Sequence, residues 1–342
     1  MTKQRARQAI GSMCAALLLA GCVGGEANFP EVVVYTAHDA TFSEPIFGQF
    51  TAATSIEARA KFDVESTKTV GLVNAILRES ERPRCDVFWN NEILNTLRLK
   101  RRGLLEAYES PSSESFPAEM KDPDGTWCGF AARVRVIVCN AELLPDVNER
   151  PHSIEDLLDP RWRGKAAIAK PLFGTTATHA ACLYAIWGAE RTQKFFRDLK
   201  ANDIQVLGGN KQVAEAVARG AIAWGLTDTD DVLQMLDQGS PVTMIYPDQQ
   251  EGGLGALRIP NSVAILKGCP HPDEARRLVD YLLAPPVERQ LAEGPAGQIP
   301  VNPQVDATSR AAPPAETRWM DVDFQEAAAC WDEAAQFLAE QF

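Results

Sequence analysis

A short apolar run that stops in a polar corner and continues as an amphipathic helix is the unit this chain repeats. Val32-Val33-Val34-Tyr35-Thr36-Ala37 ends in His38-Asp39, and Phe42, Ile46, Phe47 and Phe50 follow at helical spacing. Ile56 to Asp63 is a second, weaker run, after which Glu65-Ser66-Thr67-Lys68-Thr69 caps a helix carrying Val70, Leu72, Val73 and Ile76. Cys85-Asp86-Val87-Phe88-Trp89 is the third, closing in Asn90-Asn91-Glu92. Three such units in succession predict parallel strands with helices on the sheet faces. Their polar corners then share one edge of the sheet, where open α/β sheets bind ligands.

The stretch from Trp127 to Val138 is long for a strand and well placed to cross into a second domain, where the unit recurs. There, Ala166 to Ala169 is a strand, Gly174-Thr175-Thr176 opens a helix, and Ile204 to Leu207 stops at Gly208-Gly209-Asn210. Val242 to Pro247 and Leu257 to Ile265 read as strands returning across a hinge. The predicted fold class is therefore α/β, in two lobes with a ligand cleft between them. Residues 31–130 with 248–300 form the first lobe, 131–247 the second, and 301–342 a linker and C-terminal helix.

The densest corner is Thr227-Asp228-Thr229-Asp230-Asp231, at the end of the strand beginning Ala223-Trp224. One helix cap needs one side-chain oxygen. Three carboxylates and two hydroxyls exceed that need, and the surplus charge costs free energy unless something positive meets it. Two readings stand: a cap with solvated acids, or a ligand-facing corner.

Residues 1–22 read as an export signal. Lys3, Arg5 and Arg7 precede a short apolar core, and Leu19-Ala20-Gly21-Cys22 closes it. That ending resembles a bacterial lipobox, which implies cleavage before Cys22 and a lipid on its thiol, with 23–30 as a tether. The net charge of −12 argues against nucleic acid or anionic lipid as a surface partner. No later run is apolar and long enough to span a bilayer, so membrane contact is expected through the lipid alone. Cys85, Cys128, Cys139, Cys182, Cys269 and Cys330 show no metal-ligand spacing, and the sequence pairs none of them.

From Val33 to about Val301 the chain resembles the type 2 periplasmic solute-binding proteins of ABC importers, and among them the ferric-ion-binding branch. The resemblance is carried by Val34-Tyr35-Thr36-Ala37-His38, Asp86-Val87-Phe88-Trp89, Gly103-Leu104-Leu105, Gly129-Phe130-Ala131-Ala132-Arg133, Trp162-Arg163-Gly164-Lys165, Gly220 to Leu226, and Pro260-Asn261-Ser262-Val263-Ala264. It implies a monomeric, exported receptor at the periplasmic or cell-surface face that closes on a small ligand and serves an ABC permease. His38 and Glu92 match metal ligands of that branch, and Gly174-Thr175-Thr176 with Asn210 matches its anion site. Where the branch carries a Tyr-Tyr pair, this chain has Asp230-Asp231.

Two ligand classes follow. One is iron(III) or another metal ion on His38, Glu92, Asp230 and Asp231, with a small anion at the helix start. The other is an aminoalkylphosphonate or phosphorylated small molecule, its anionic end on Ser66, Thr67 and the Gly174-Thr175-Thr176 start and its amine on Asp228, Asp230 or Glu92. Asn91 and Thr229 complete the candidate lining, and His179 reads as a packed helix residue. No catalytic cofactor is called for. An exported enzyme is the rival class, although neither a G-x-S-x-G elbow nor H-E-x-x-H is present.

Overall fold

The computed structural model describes residues 30–63, 69–311 and 313–342. The export signal, Cys22, most of the tether, Ser66 and Thr67 therefore lie outside the described residues.

The first sheet is built from β1 (Glu31–Thr36), β2 (Glu57–Phe62) and β3 (Val87–Asn90), parallel and in the order β2-β1-β3. Helices α1 (Ala40–Thr54), α2 (Val70–Arg78) and α3 (Leu94–Arg101) follow the three strands in turn. β3, central and apolar, is buried at every residue, whereas β2 at the edge alternates exposed and half-buried positions. β10 (Arg258–Leu266) continues the sheet antiparallel to β3, with the short β4 (Leu105–Glu106) paired to its end.

β5 (Cys128–Asn140) joins this sheet to the second one. Residues 128–134 pair with β10, and Arg135 to Asn140 pair with β8 (Trp224–Asp228) and β9 (Val242–Ile245). β6 (Ala166–Ala169) and β7 (Gln205–Leu207) complete the order β5-β8-β6-β7, with β6 parallel to both neighbours. The expectation that two late strands return across the hinge needs correcting. β10 does so, but β9 pairs only with the second half of β5, because the chain leaves α6 (Thr229–Asp237) on that side.

The second sheet is flanked by α4 (Gly174–Ala201), α5 (Asn210–Ala218) and α6, while α7 (Pro272–Leu282) and α8 (Pro285–Glu293) pack with the first. α9 (Phe324–Gln341) lies across both, touching α4 and α3. Its Trp331 and Leu338 are buried, and Asp332 pairs with Arg98 of α3 at 2.8 Å.

Close packing of α5 on β8 depends on Gly225. A Cβ there would lie 2.4 Å from Val213 Cγ1 of α5 and 2.9 Å from the Ala167 carbonyl oxygen of β6. Gly225→Ala should therefore destabilise the fold by about 1–3 kcal/mol through overpacking, read as a lower urea midpoint. An unchanged midpoint would mean that α5 is free to move off the strand.

Candidate functional site

The acidic corner is not a helix cap. Asp228 occupies the residue before α6 in an extended conformation, and its side chain makes no capping bond. Its carboxylate instead accepts from Arg135 Nη1 (2.8 Å), Thr175 Oγ1 (2.5 Å) and Asn210 Nδ2 (3.0 Å). Arg135 and Asp228 are direct cross-strand partners on β5 and β8, which places the ion pair by register. Arg135 also donates to Thr175 Oγ1 (3.2 Å), Thr176 Oγ1 (3.2 Å) and Asn210 Oδ1 (3.0 Å). The starts of α4 and α5 and the end of β8 thus converge on one buried guanidinium.

Two residues earlier on β5, and so on the same face, Arg133 pairs with Asp230 at 3.0 Å. Burial pushes the Arg133 guanidinium down, but the carboxylates of Asp230, Asp228, Asp39 and Asp231 outweigh it and hold its pKa above the ordinary arginine value. With the Gln298 amide oriented to satisfy its neighbours, its oxygen accepts from Arg133 Nη2 and from His38 Nε2, each at 2.9 Å. Asp231 accepts from Thr227 Oγ1 at 2.9 Å. One oxygen from each of Asp228, Asp230 and Asp231 falls within 4.8 Å of the others, close enough for a shared metal ion.

These groups edge a cleft of about 480 Å³ whose walls include Asp39, Asn91, Arg133, Lys170, Asp230 and Asp231. Gly174, Thr175, Thr176, Asn210 and Asp228 line it as well. The N–H groups of Gly174, Thr175 and Thr176 precede the first intrahelical bond of α4, which Ala177 makes to Phe173. They face a site with two arginines near it, a favourable setting for an anion.

Several expected residues are placed elsewhere. Glu92 does not line the cleft: its carboxylate accepts from the N–H groups of Leu94 (2.6 Å) and Asn95 (3.1 Å), from Asn90 Nδ2 (2.7 Å) and from Thr178 Oγ1 (2.9 Å). It caps α3, and the two N–H donors at that helix start explain why a carboxylate sits there. His38 is buried behind the wall, its ring 4.9 Å from that of Trp89. Thr229 is buried too, its hydroxyl accepting from the Val134 N–H at 3.3 Å. His179 is a buried residue of α4. The residues that sequence reasoning missed are Arg133, Arg135, Gln298 and Asp39. Arg133 and Arg135 did carry a signal: two cations at alternate positions of an otherwise apolar strand share one face.

Two sheets that share a crossing strand, with charged corners meeting in a cleft, define a hinged solute-binding protein. The chain belongs to the bacterial extracellular solute-binding proteins, whose family model matches residues 95–327. Its fold is the type 2 periplasmic binding protein fold. It is similar to iron uptake protein A1 of Synechocystis sp., 24% identical over 273 residues, covering 77% of this chain and 74% of that one. Among solved structures it resembles iron-bound HitA from Pseudomonas aeruginosa, with TM-score 0.82, 22% identity and coverage of 91% and 99% of the two chains. AfuA from Actinobacillus pleuropneumoniae, solved with fructose-6-phosphate, matches with TM-score 0.79 and 24% identity, over 91% of this chain and 97% of that one.

Arg135→Met would leave Asp228 buried without its cation and should cost about 3–5 kcal/mol in urea unfolding, with Asp228→Asn added to it restoring part of the loss. Additive losses would show that the pair is not coupled. His179 gives a second expectation. Burial, and then Arg135, pushes its pKa from 6.5 down to about 3. Between those values the unfolded chain holds a proton that the folded chain refuses, so this contribution is complete above about pH 6.5 and is lost as pH falls toward 3. His179→Gln should therefore flatten the loss of stability between pH 6.5 and 4, and an unchanged slope would refute the assignment.

Proposed function

We propose that the chain is the extracytoplasmic receptor of an ABC importer and closes on a small organic phosphate or phosphonate that also carries an amine or hydroxyl end. Arg133 is the observation that supports this reading most directly. It stands in the cleft among four carboxylates, so both signs of charge already face the same space. The anionic end of the solute takes N–H groups of Arg133 and of the α4 start, and Asp39, Asp230 and Asp231 then take the cationic or hydroxyl end. A volume of about 480 Å³ suits such a molecule better than a bare ion. The importer role, the lobe bounds 31–130 with 248–300 and 131–247, the lipid on Cys22 and the monomeric state are part of the same proposal. So is a role in binding without turnover.

A second reading has its own support. The close approach of Asp228, Asp230 and Asp231 suits a hard cation, held together with a small anion on Arg133. Among the described residues no tyrosine lines the cleft, so such a metal would be held by carboxylates and not by phenolates.

Thermal unfolding against a ligand panel separates the readings. Aminoethylphosphonate or a hexose phosphate, in the presence of a chelator, should stabilise the protein by about 2.7 kcal/mol at a hundredfold excess over the dissociation constant. Asp230→Asn with Asp231→Asn should abolish that response and leave a folded protein. A response confined to ferric or divalent ions with phosphate or carbonate would establish the second reading instead. Conversion of the bound compound during incubation would make the protein an enzyme and overturn both.

A further inference from the structure

A second cavity, of about 560 Å³, lies between α3, the crossing strand β10 and the segment that leads into α9, and shares no lining residue with the cleft. Its walls are mainly apolar, with Ile93, Leu97, Met120, Trp127 and Trp319 among them. Arg258, the first residue of β10, is one of two cations in the lining. Its guanidinium lies 5.2 Å from the Trp319 ring, which is fixed beside it by the Ala256–Trp319 bridge. Among the described residues, neither a carboxylate nor any other acceptor bonds to that guanidinium. Burial pulls the Arg258 pKa down, with only Glu119 opposing, as expected of a desolvated cation lacking a close counter-ion. The other cation of the cavity, Lys121, is already held by the carbonyls of Ser113 (3.1 Å) and Glu114 (3.2 Å). Trp127 adds a second unused donor, an indole N–H that is buried and has no acceptor.

A half-buried guanidinium against an indole face and aliphatic walls is the arrangement that takes a carboxylate with an apolar body. Three carboxylates, Glu119, Asp321 and Asp323, also line the cavity and repel any anion in proportion to its charge, so a monoanion is the form that one guanidinium can hold. We propose that this cavity is a second binding site, for a small monocarboxylate with an aromatic or branched aliphatic body, its carboxylate on Arg258 and its body against Trp319, Val322 and Phe324. Arg258 pairs in register with Val134, between the two cleft arginines of β5, so a ligand here contacts a strand bonded directly to the one that carries the cleft charges.

The test is calorimetric titration of the whole exported chain with phenylacetate, indoleacetate and isovalerate. Saturable binding of at least one is expected, weakened about tenfold or more by Arg258→Met and in the neutral amide of the same compound. Ala118→Trp, at an exposed wall position, should block the site and serves if Arg258→Met does not fold. The thermal response to ligands of the cleft should persist in both variants. Absence of saturable binding by all three acids would overturn the proposal. So would equal binding of acid and amide, or undiminished binding by both variants.

Discussion

The ion pair between Arg135 and Asp228 is the interaction on which the rest of the cleft depends. Burying two charges costs several kcal/mol each, and their attraction repays this only where further hydrogen bonds satisfy both groups. Here Thr175, Thr176 and Asn210 supply those bonds. The result is a closed polar network that ties the first turns of α4 and α5 to the end of β8. Helix starts are otherwise where chains fray, and a site built on two of them and a strand end needs such a fixed centre. The hydroxyls that looked like ligand groups are largely consumed in this role. What they leave for a solute is the N–H row of α4, held at a constant angle.

The two sheets meet at an equally specific point. Ala131 of β5 has a left-handed φ of 39°, and the β10 register shifts between Pro260 and Asn261 at the same level. Asn261 Nδ2 donates to the Ala131 carbonyl, and the Glu288 carboxylate accepts from the N–H groups of Ala131 (2.5 Å), Val301 (3.1 Å) and Asn302 (2.9 Å). Irregular backbone normally leaves polar groups unsatisfied, and here buried side chains meet them. Gln298 comes from the same loop and reaches Arg133, so the crossing point and the cleft share a residue. α9 rests on α3 and α4, one helix from each sheet, so a turn of the sheets against each other would have to carry or break those contacts.

Much of this was legible from period and punctuation alone. Apolar runs ending in Asn90, Asn210 and Asp228 gave the strands, and among the described residues the corners at Asp39, Asn91, Asn210 and Asp228 meet in the cleft, as parallel strands followed by helices require. What was not legible was the pairing of charges. Asp228 and Arg135 are 93 residues apart in sequence, and their meeting depends on the antiparallel register of β5 and β8. No local pattern encodes such a register. Glu92 misled for a related reason: a carboxylate before a helix caps it or binds a ligand, and only the fold shows which. β9, like β10, reads from its sequence only as a late strand that could return across the hinge. Only its partners distinguish it.

An aspartate pair at Asp230-Asp231, where the resemblance to ferric-ion binders implies a tyrosine pair, changes the physics of binding as well as the donor atoms. Neutral phenols can wait for a metal in a cleft without a counter-ion, whereas carboxylates at 2% and 8% exposure cannot, and this chain gives them Arg133. Any solute must therefore exchange with a cation already in place. A lone metal ion would take the carboxylates and leave the Arg133 guanidinium without its partner, at a cost that approaches that of breaking a buried pair. A lone anion would draw Arg133 away and leave the carboxylates exposed to one another. Only a solute bringing both signs leaves each protein charge matched. When both are on one molecule, the loss of translational freedom is incurred once rather than twice. On the proposed reading the charge balance of the cleft would disfavour simple ions of either sign, and that preference would come from a residue on β5 that lies outside the acidic corner itself.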